Sequence, residues 1–489
     1  MILNWVLALG SAGLLVLLFP PFGFAWLAPV ALAPLLIACA REDRWQWRFG
    51  LGYGAGVVYW FGICHWIQWT LAHHADMGGG LAWFLFALFC LAKALQMGVF
   101  AVLSGTLMRK WFAAPAIAAM WVAIEWTHSY TGFEWLNLGN AASDMPLPLR
   151  LAPIAGVWGI SFVLALLGAV IALLVMRLQR HPALWLLVLP CLLFLPDLPA
   201  ARQGTSGAVV VQPNIDDDVI WSPALLESTE RQMRFSSLSV AGRDRGTDVI
   251  VWPEVPAPFY ESDSAFTGLV SSIAKQAGAA VLTGVVARTP SREPLNSALL
   301  VDDNGDRVSR YDKVNLVPFG EFVPWPFGLL TRKVSDEAGD FAAGNRVVVS
   351  SLGTHRIGTF ICYESVFPSY IRRFAAGGAQ ALFNISNDSW FGKTAARYQH
   401  LLIVRMRAAE NDRWIVRSTN DGITGVIDPA GRVGLTLPEY QEASARVQYN
   451  YISDQTFYTR HGDWFVLLCA LIAIGAIASV SLPARYSRP

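Results

Sequence analysis

Three side chains in the polar part of the sequence have the types needed for acyl transfer through sulfur. Cys362 follows the apolar run 357–361, Glu254 follows the run 249–252, and Lys313 lies between them in the chain. A carboxylate can take the proton of a thiol and return it to a leaving group, while an ammonium can stabilise a thiolate and an oxyanion. Spacing alone leaves the triad open, because Glu254 could be a surface residue and Lys313 half of an ion pair.

The position of the thiol favours a chemical role. Residues 357–361 are predicted to form a short buried strand that ends at Cys362, and a helix is predicted over 365–376. The field at the amide end of a helix favours the thiolate, which is the reactive form of the thiol. A buried structural cysteine is the alternative interpretation. The other cysteines all lie in apolar runs: Cys39, Cys64, Cys90, Cys191 and Cys469.

The elements around these residues alternate between strands and helices. Ser222 followed by Pro223 is a typical helix start. The pattern predicts an α/β layered sandwich. Predicted strands cover 208–211, 249–252, 280–285, 298–301, 357–361, 381–385, 414–417 and 425–427, and predicted helices cover 223–240, 264–277, 365–376 and 394–411.

The rest of the chain has the composition of a membrane protein. Of its 489 residues, 54% are hydrophobic and only 15% are charged, and the net charge of +1 gives no indication of a nucleic-acid partner. Several apolar runs approach the roughly 20 residues that cross a bilayer. The predicted spans are 3–19, 24–40, 50–71, 81–107, 112–126, 151–176, 183–195 and 464–482.

Loop charges predict the orientation of these spans. The short loops on one side of the predicted membrane spans carry Arg150 as their single basic residue, whereas the loops on the other side are rich in Arg and Lys. The basic side is expected to be cytoplasmic, with both termini inside and residues 207–460 outside. One cysteine in a large domain of a disulfide-permissive compartment has no structural partner, which favours chemistry. The basic side collects Arg41, Arg44, Arg48, Arg109, Lys110, Arg177, Arg180, Arg485 and Arg488.

Five motifs carry a resemblance to a known family. They look like the Glu-Lys-Cys pattern of the nitrilase superfamily, and with the flanking spans almost the whole chain resembles the bacterial apolipoprotein N-acyltransferases. The motifs are Trp252-Pro253-Glu254, Tyr311-Asp312-Lys313 with Pro318-Phe319-Gly320-Glu321, Cys362-Tyr363-Glu364, residues 384–391 (NISNDSWF) and residues 407–411 (RAAEN).

The resemblance implies an architecture and a place in the cell. It implies a polytopic α-helical membrane bundle of about eight spans that carries a nitrilase-like αββα sandwich, in the bacterial inner membrane. The expected domains are residues 1–200 with seven transmembrane helices, 207–460 as the catalytic domain on the periplasmic side, and 463–489 as the final transmembrane helix with a cytoplasmic tail.

The resemblance also implies a reaction and a set of residue roles. A fatty acyl chain would pass from a phospholipid to the N-terminal α-amine of a diacylglyceryl-cysteine lipoprotein, through a thioester on the enzyme. The implied roles are Cys362 as nucleophile, Glu254 as general base and acid, Lys313 as electrostatic stabiliser, Glu321 and Glu364 as supporting carboxylates, and Tyr363, Trp390 and Trp221 as residues that shape the substrate site. For the last three, ordinary packing is an equal alternative.

The expected partners are a phospholipid acyl donor, a diacylated lipoprotein acceptor and membrane lipid. We expect a monomer without a cofactor or metal and without nucleic acid. The apolar, proline-rich loop 316–330 is predicted to meet the outer leaflet, with packing into the domain as its alternative. Rival functions are a membrane-tethered amidase or nitrilase, and a transporter or lipoprotein-binding membrane protein whose polar domain is not catalytic.

Overall fold

The structure, a computed structural model, describes residues 1–74, 78–179, 181–216, 219–242, 246–322 and 341–481. These residues belong to two compact units. The first is drawn from Met1–Trp69, Gly78–Leu198 and His461–Pro489, and the second from Thr70–Met77 and Pro199–Arg460. The predicted loop 316–330 is described only as far as Phe322, so its remaining residues lie outside the described part of the chain.

The first unit is built from helices. The helices before residue 200 are α1 (Ile2–Leu17), α2 (Ala28–Ala31), α3 (Ala33–Ala40), α4 (Trp45–Cys64), α5 (Trp66–His74), α6 (Gly79–Leu107), α7 (Ala113–Tyr130), α8 (Pro146–Leu149), α9 (Ala152–Met176) and α10 (Val188–Cys191). The later helices are α11 (Pro223–Ala241), α12 (Ser264–Ala277), α13 (Pro368–Ala376), α14 (Ala396–Asn411), α15 (Phe457–His461) and α16 (Trp464–Ser481).

The predicted number of membrane spans is not confirmed. Within the described residues, two helices, α6 and α9, are long and apolar enough to cross a membrane. Shorter apolar helices cover Ile2–Leu17, Ala25–Ala40, Pro182–Phe194 and Trp464–Val480. The predicted span 183–195 is divided into three short helical pieces, and Pro190 lies in the middle one. Proline lacks the N–H that a continuous helix needs.

The second unit contains two six-stranded sheets. The strands are β1 (Ser206–Gln212), β2 (Val249–Val251), β3 (Ala280–Arg288), β4 (Pro294–Val301), β5 (Arg307–Asp312), β6 (Val349–Leu352), β7 (His355–Ile361), β8 (Ala381–Ser386), β9 (Ile415–Thr419), β10 (Gly425–Ile427), β11 (Val433–Thr436) and β12 (Ala443–Tyr449). Their orders are β12-β1-β2-β3-β4-β5 and β11-β10-β9-β8-β7-β6. Strands β1 to β3 and β7 to β9 run parallel, and the outer strands pair antiparallel.

The sheets and helices stack in the order helix, sheet, sheet, helix. Helices α11 and α12 pack on the first sheet, where Met233 and Phe266 join the core side chains of the strands. Helix α13 packs on β7 and β8, and α14 packs on α13. The two sheets face each other, with Ser418 Oγ donating to the carbonyl oxygen of Val211 at 2.9 Å. This arrangement confirms the predicted layered sandwich.

Four strands were not predicted from the sequence: β5, β6, β11 and β12. They are the four edge strands of the two sheets. Many of their residues are exposed or half-buried, and all of β11 is exposed. Central parallel strands are covered on both faces and therefore read as continuous apolar runs, whereas edge strands carry polar side chains. The eight strands that were predicted are the interior ones.

One glycine brings β3 close to the segment that follows β2. A Cβ atom on Gly284 would lie 2.3 Å from the Val255 nitrogen and 2.6 Å from the Pro253 carbonyl oxygen. Any side chain at Gly284 therefore has to move this backbone. Gly268, on the exposed face of α12, has no atom within 4 Å of such a Cβ.

We predict opposite effects of alanine at these two glycines. Gly284→Ala should lower the melting temperature of the purified chain, because the new methyl group overlaps backbone atoms. Gly268→Ala should raise its free energy of unfolding by about 1 kcal/mol, because alanine is the better helix former. Melting of both variants in the same detergent checks this, and an unchanged melting temperature for Gly284→Ala would contradict the close approach.

Candidate active site

Glu254 is held by an anchored turn directly after β2. The indole of Trp252 is fully buried and donates to Ser237 Oγ at 2.9 Å. The Trp252 amide donates to the carbonyl of Leu282 at 2.9 Å, and the Gly284 amide donates to the carbonyl of Pro253 at 3.2 Å. The two residues before the carboxylate are thus tied to β3, which restricts the direction of the side chain.

Lys313 lies immediately after β5 and points into the same buried region. Its Nζ is 3.0 Å from Glu254 Oε1 and 2.9 Å from Glu321 Oε2, and the residue is 1% exposed. Burial alone would lower the pKa of Lys313, but the neighbouring charges of Glu254 and Glu321, together with Cys362, raise it above its ordinary value. The side chain is therefore a permanent ammonium between two carboxylates.

The two carboxylates share further donors. Asn296 Nδ2 lies 2.7 Å from Glu254 Oε1 and 2.7 Å from Glu321 Oε1. The second oxygen of Glu254 accepts from the Asn387 amide at 2.8 Å, and that of Glu321 accepts from the Val317 amide at 2.8 Å. Buried charges persist only when paired and hydrogen-bonded, and here both conditions are met.

Cys362 begins a 3-10 turn at the end of β7 and has the positive φ of 49°. Its pKa is raised well above the ordinary thiol value, first by burial and then by the charge of Glu254, while Lys313 acts in the opposite direction. The expectation of a resting thiolate is therefore wrong. At 6% exposure the loss of solvation outweighs the attraction of the ammonium, so the group rests as a neutral thiol.

Glu364 ties the cysteine turn to the segment after Lys313. One carboxylate oxygen accepts from Tyr311 Oη at 2.6 Å and from the Val314 amide at 2.8 Å. The other accepts from the Ile361 amide at 2.8 Å. Burial raises the pKa of Glu364 to about 7, although these donors oppose the shift. Glu364, itself a residue of the turn, therefore connects the end of β7 with the segment that follows Lys313.

The three predicted substrate-site residues have different surroundings. Tyr363 is buried and packs edge-on against Phe367, with ring centroids 5.5 Å apart. Trp390 is half-buried; its carbonyl oxygen accepts from Thr70 Oγ1 at 2.9 Å, and its ring lies 4.6 Å from that of His74. Trp221 packs against the hydrophobic core beneath α11 and α12, as its packing alternative implies.

Sequence reasoning assigned no role to a buried charged cluster behind the cysteine. Asp388, His400 and Arg417 are at most 1% exposed, and Arg417 Nη2 lies 2.7 Å from Asp388 Oδ2. His400 Nε2 lies 3.2 Å from the carbonyl oxygen of Cys362. Asp388 lies in the NISNDSWF motif, which was the available signal, whereas His400 and Arg417 lie outside the quoted motifs.

Cys362, Glu254 and Lys313 provide a thiol, a carboxylate and an ammonium. Glu364 links the cysteine turn to the Val314 amide next to Lys313, and Lys313 lies 3.0 Å from Glu254, so the structure brings the three predicted residues together. Such a set can carry nucleophilic acyl transfer, in which the carboxylate takes the thiol proton. Across the residues that the structure describes, no three His, Cys, Asp or Glu side chains are grouped to hold a metal ion.

Two family models together match most of the chain. Residues 200–455 match the carbon-nitrogen hydrolase family, and residues 11–170 match the N-terminal domain of the apolipoprotein N-acyltransferases. Among solved structures, an amidase from Nesterenkonia sp. aligns with 55% of this chain and 98% of its own, at 19% identity and a TM-score of 0.39.

Curated relatives match over nearly their full length. The apolipoprotein N-acyltransferase of Geobacter metallireducens is 32% identical over 95% of this chain and 93% of its own. That of Pseudomonas putida is 32% identical over 96% and 95%, and that of Pseudomonas paraeruginosa is 34% identical over 94% and 92%. This chain, with its carbon-nitrogen hydrolase unit, belongs to the apolipoprotein N-acyltransferase family.

Proposed function

We propose that this chain transfers a fatty acyl group from a phospholipid to the N-terminal α-amine of a diacylglyceryl-cysteine lipoprotein. The observation that carries the proposal is the buried cluster of Glu254, Lys313 and Cys362 in a chain of this family. Glu254 acts as base and acid, Lys313 stabilises the oxyanion, and Glu321 and Glu364 support them.

In the first half-reaction, the sulfur of Cys362 attacks the ester carbonyl of the phospholipid as its proton passes to Glu254. The Lys313 ammonium stabilises the oxyanion that forms. When the oxyanion collapses, the ester C–O bond breaks and Glu254 returns the proton to the leaving oxygen. A lysophospholipid departs, and the acyl chain remains as a thioester on Cys362.

In the second half-reaction, the neutral α-amine of the lipoprotein attacks the thioester. An α-amino group has a pKa near 8, so a useful neutral fraction exists at neutral pH. The C–S bond breaks, an amide forms, and the amine's excess proton passes through Glu254 to the departing sulfur. The enzyme returns to its resting neutral thiol, and the amide product is stable.

The net charge of the buried cluster explains how the thiol proton can move without being passed to water. At rest the cluster holds two carboxylates, one ammonium and a neutral thiol. Moving the thiol proton to Glu254 exchanges one anion for another and leaves the net charge unchanged. Because burial penalises net charge, a proton moved within the cluster costs less than a thiolate made by losing its proton to solvent.

The acyl-enzyme gives the sharpest test. Enzyme mixed with phospholipid alone should gain the mass of one fatty acyl group on Cys362, since no acceptor is present. Hydroxylamine should remove the group, and a diacylated lipopeptide should accept it with ping-pong kinetics. Intact-protein and peptide mass spectrometry check the adduct, with Cys362→Ala as the blank.

Two results would overturn this sequence of steps. If no adduct accumulates and initial rates fit only a ternary complex, the thioester intermediate is wrong. If the adduct forms but passes to water and never to the lipopeptide, the hydrolase alternative takes the place of acyl transfer to an amine. A Cys362→Ala variant that keeps full biological function would instead favour the transporter or lipoprotein-binding alternative.

A second prediction concerns Lys313. Lys313→Met should lower the rate of acyl-enzyme formation by about 100- to 1,000-fold, as the loss of an oxyanion donor does elsewhere. Lys313→Arg should also fail, because a planar guanidinium differs in shape from a compact ammonium.

Lys275→Met is the matched control for Lys313, because Lys275 is exposed near the end of α12. Its rate should equal that of the wild type. Melting temperatures show whether each variant folds, since removing one partner of a buried ion pair is destabilising. A folded Lys313→Met variant with near-normal turnover would reduce Lys313 to a structural ion pair.

We further propose the finer domain plan and location. Residues 1–200 form seven spans of the bacterial inner membrane, 207–460 form the periplasmic catalytic domain, and 463–489 form the eighth span with a cytoplasmic tail. Helices α6 and α9 support this plan, as does the excess of Arg and Lys in the loops of one side. The enzyme acts as a monomer.

Reporter fusions test this topology. A reporter active only in the periplasm should work when fused near Leu300 and fail when fused at Pro489. A reporter active only in the cytoplasm is the control and should give the reverse pattern. Activity of the periplasmic reporter at Pro489 would contradict the even number of spans.

A further inference from the structure

His400 contacts the backbone of the cysteine turn from its buried side. The residue lies on α14 and is fully buried, and its Nε2 is 3.2 Å from the carbonyl oxygen of Cys362 and 2.8 Å from Ser365 Oγ. Both partners belong to the 3-10 turn Cys362–Val366. One imidazole nitrogen therefore meets the first and the fourth residue of the turn that carries the thiol.

The other imidazole nitrogen faces a fixed ion pair. Nδ1 of His400 is 3.2 Å from Asp388 Oδ1 and 3.2 Å from Arg417 Nη2. Asp388 accepts from Arg417 Nη2 at 2.9 and 2.7 Å and from Ser386 Oγ at 2.8 Å. The ring of His400 also packs edge-on against Phe391, at 5.6 Å between centroids. The imidazole is thus fixed on several sides.

These partners select one form of the ring. Donation to the carbonyl of Cys362, which can only accept, requires a proton on Nε2, and the Ser365 hydroxyl can accept from the same N–H. Arg417 can only donate, so its contact requires the lone pair of Nδ1. The Asp388 carboxylate favours a proton on Nδ1, but it already has donors in Arg417 and Ser386. Burial, and then the charge of Arg417, lower the pKa of His400 below its ordinary value, which excludes the doubly protonated ring at neutral pH.

Ser365, His400 and Asp388 have the order of contacts found in serine hydrolases. All three side chains are fully buried, so a substrate carbonyl has no access to Ser365 Oγ. The positive φ of Cys362, 49°, is uncommon for a residue with a side chain and must be held by its surroundings. The contacts of His400 with the turn supply such a hold.

We propose that His400, as the neutral Nε2–H tautomer selected by Arg417, is the positioning residue that donates to the carbonyl of Cys362 and fixes the turn from which the thiol attacks. The inference rests on the proposed role of Cys362 as nucleophile. His400 touches neither substrate nor the reacting sulfur, and it acts only through the backbone of the turn.

Replacing His400 by Gln or by Asn distinguishes a role as hydrogen-bond donor from a role in filling the volume of the side chain. Gln extends far enough to place an N–H near the position of Nε2, whereas Asn ends near Nδ1 and leaves the Cys362 carbonyl without its donor. His400→Asn should slow acyl-enzyme formation by about 10- to 100-fold, the range expected for a lost buried hydrogen bond. His400→Gln should stay within a few-fold of the wild type, and kcat/KM for the lipopeptide, which reports only the second half-reaction, should not change in either variant.

Alkylation of the thiol keeps this test independent of the proposed reaction. Iodoacetamide labelling, followed on the peptide that contains Cys362, should rank wild type and His400→Gln above His400→Asn. If the wild type forms no acyl adduct but this ranking holds, the proposed function fails and the positioning role stands. Equal labelling and equal acylation rates of the Asn and Gln variants, both folded by their melting temperatures, would overturn the inference.

The dependence on pH tests the tautomer. Asp388 and Arg417 each lie 3.2 Å from Nδ1 of His400. The ring stays neutral between them, so the ratio of acylation rates of wild type and His400→Gln should be constant from pH 6 to 8.5. Any change of the acylation rate with pH that arises from Glu364, whose pKa is about 7, occurs in both proteins and cancels in the ratio. A change of the acylation rate near pH 6.5 that is present in the wild type and absent from His400→Gln would show that His400 titrates. It would overturn the assignment of the neutral tautomer.

Discussion

The site depends on one buried ion cluster, the Lys313 ammonium between Glu254 and Glu321. Isolated charges are costly to bury, so each member of the cluster is tolerated only because the others are present. Asn296 ties the two carboxylates together, and amides of residues 317 and 387 occupy their remaining oxygens. The Glu254 carboxylate is therefore prevented from moving by the same contacts that stabilise its charge.

A second layer of buried polar groups holds the cysteine without touching its sulfur. Glu364 accepts from the amide of Ile361, just before Cys362, and from the amide of Val314, just after Lys313. His400 contacts the turn from the other side. Because β5 and β7 belong to different sheets, these contacts join the two halves of the sandwich at the site.

The resting thiol of Cys362 is neutral because the side chain is buried away from water. A thiolate at a helix amide end is expected where solvent reaches the sulfur, but Cys362 is nearly enclosed, and burial dominates over one ammonium. In the proposed mechanism, the thiol loses its proton only as a substrate accepts the electrons of the sulfur. Such coupling suits an enzyme that has to keep its nucleophile inactive toward other electrophiles.

The sequence by itself determined the layered sandwich, its eight interior strands and the three residues that meet at the site, because buried strands read as apolar runs and motif residues follow them. Only the tertiary structure decided what depends on distant contacts. The edge strands were missed because their exposed faces carry polar residues. The protonation of Cys362 depends on burial, and the partners of His400 come from segments 12 to 38 residues away along the chain, so no local pattern encodes them.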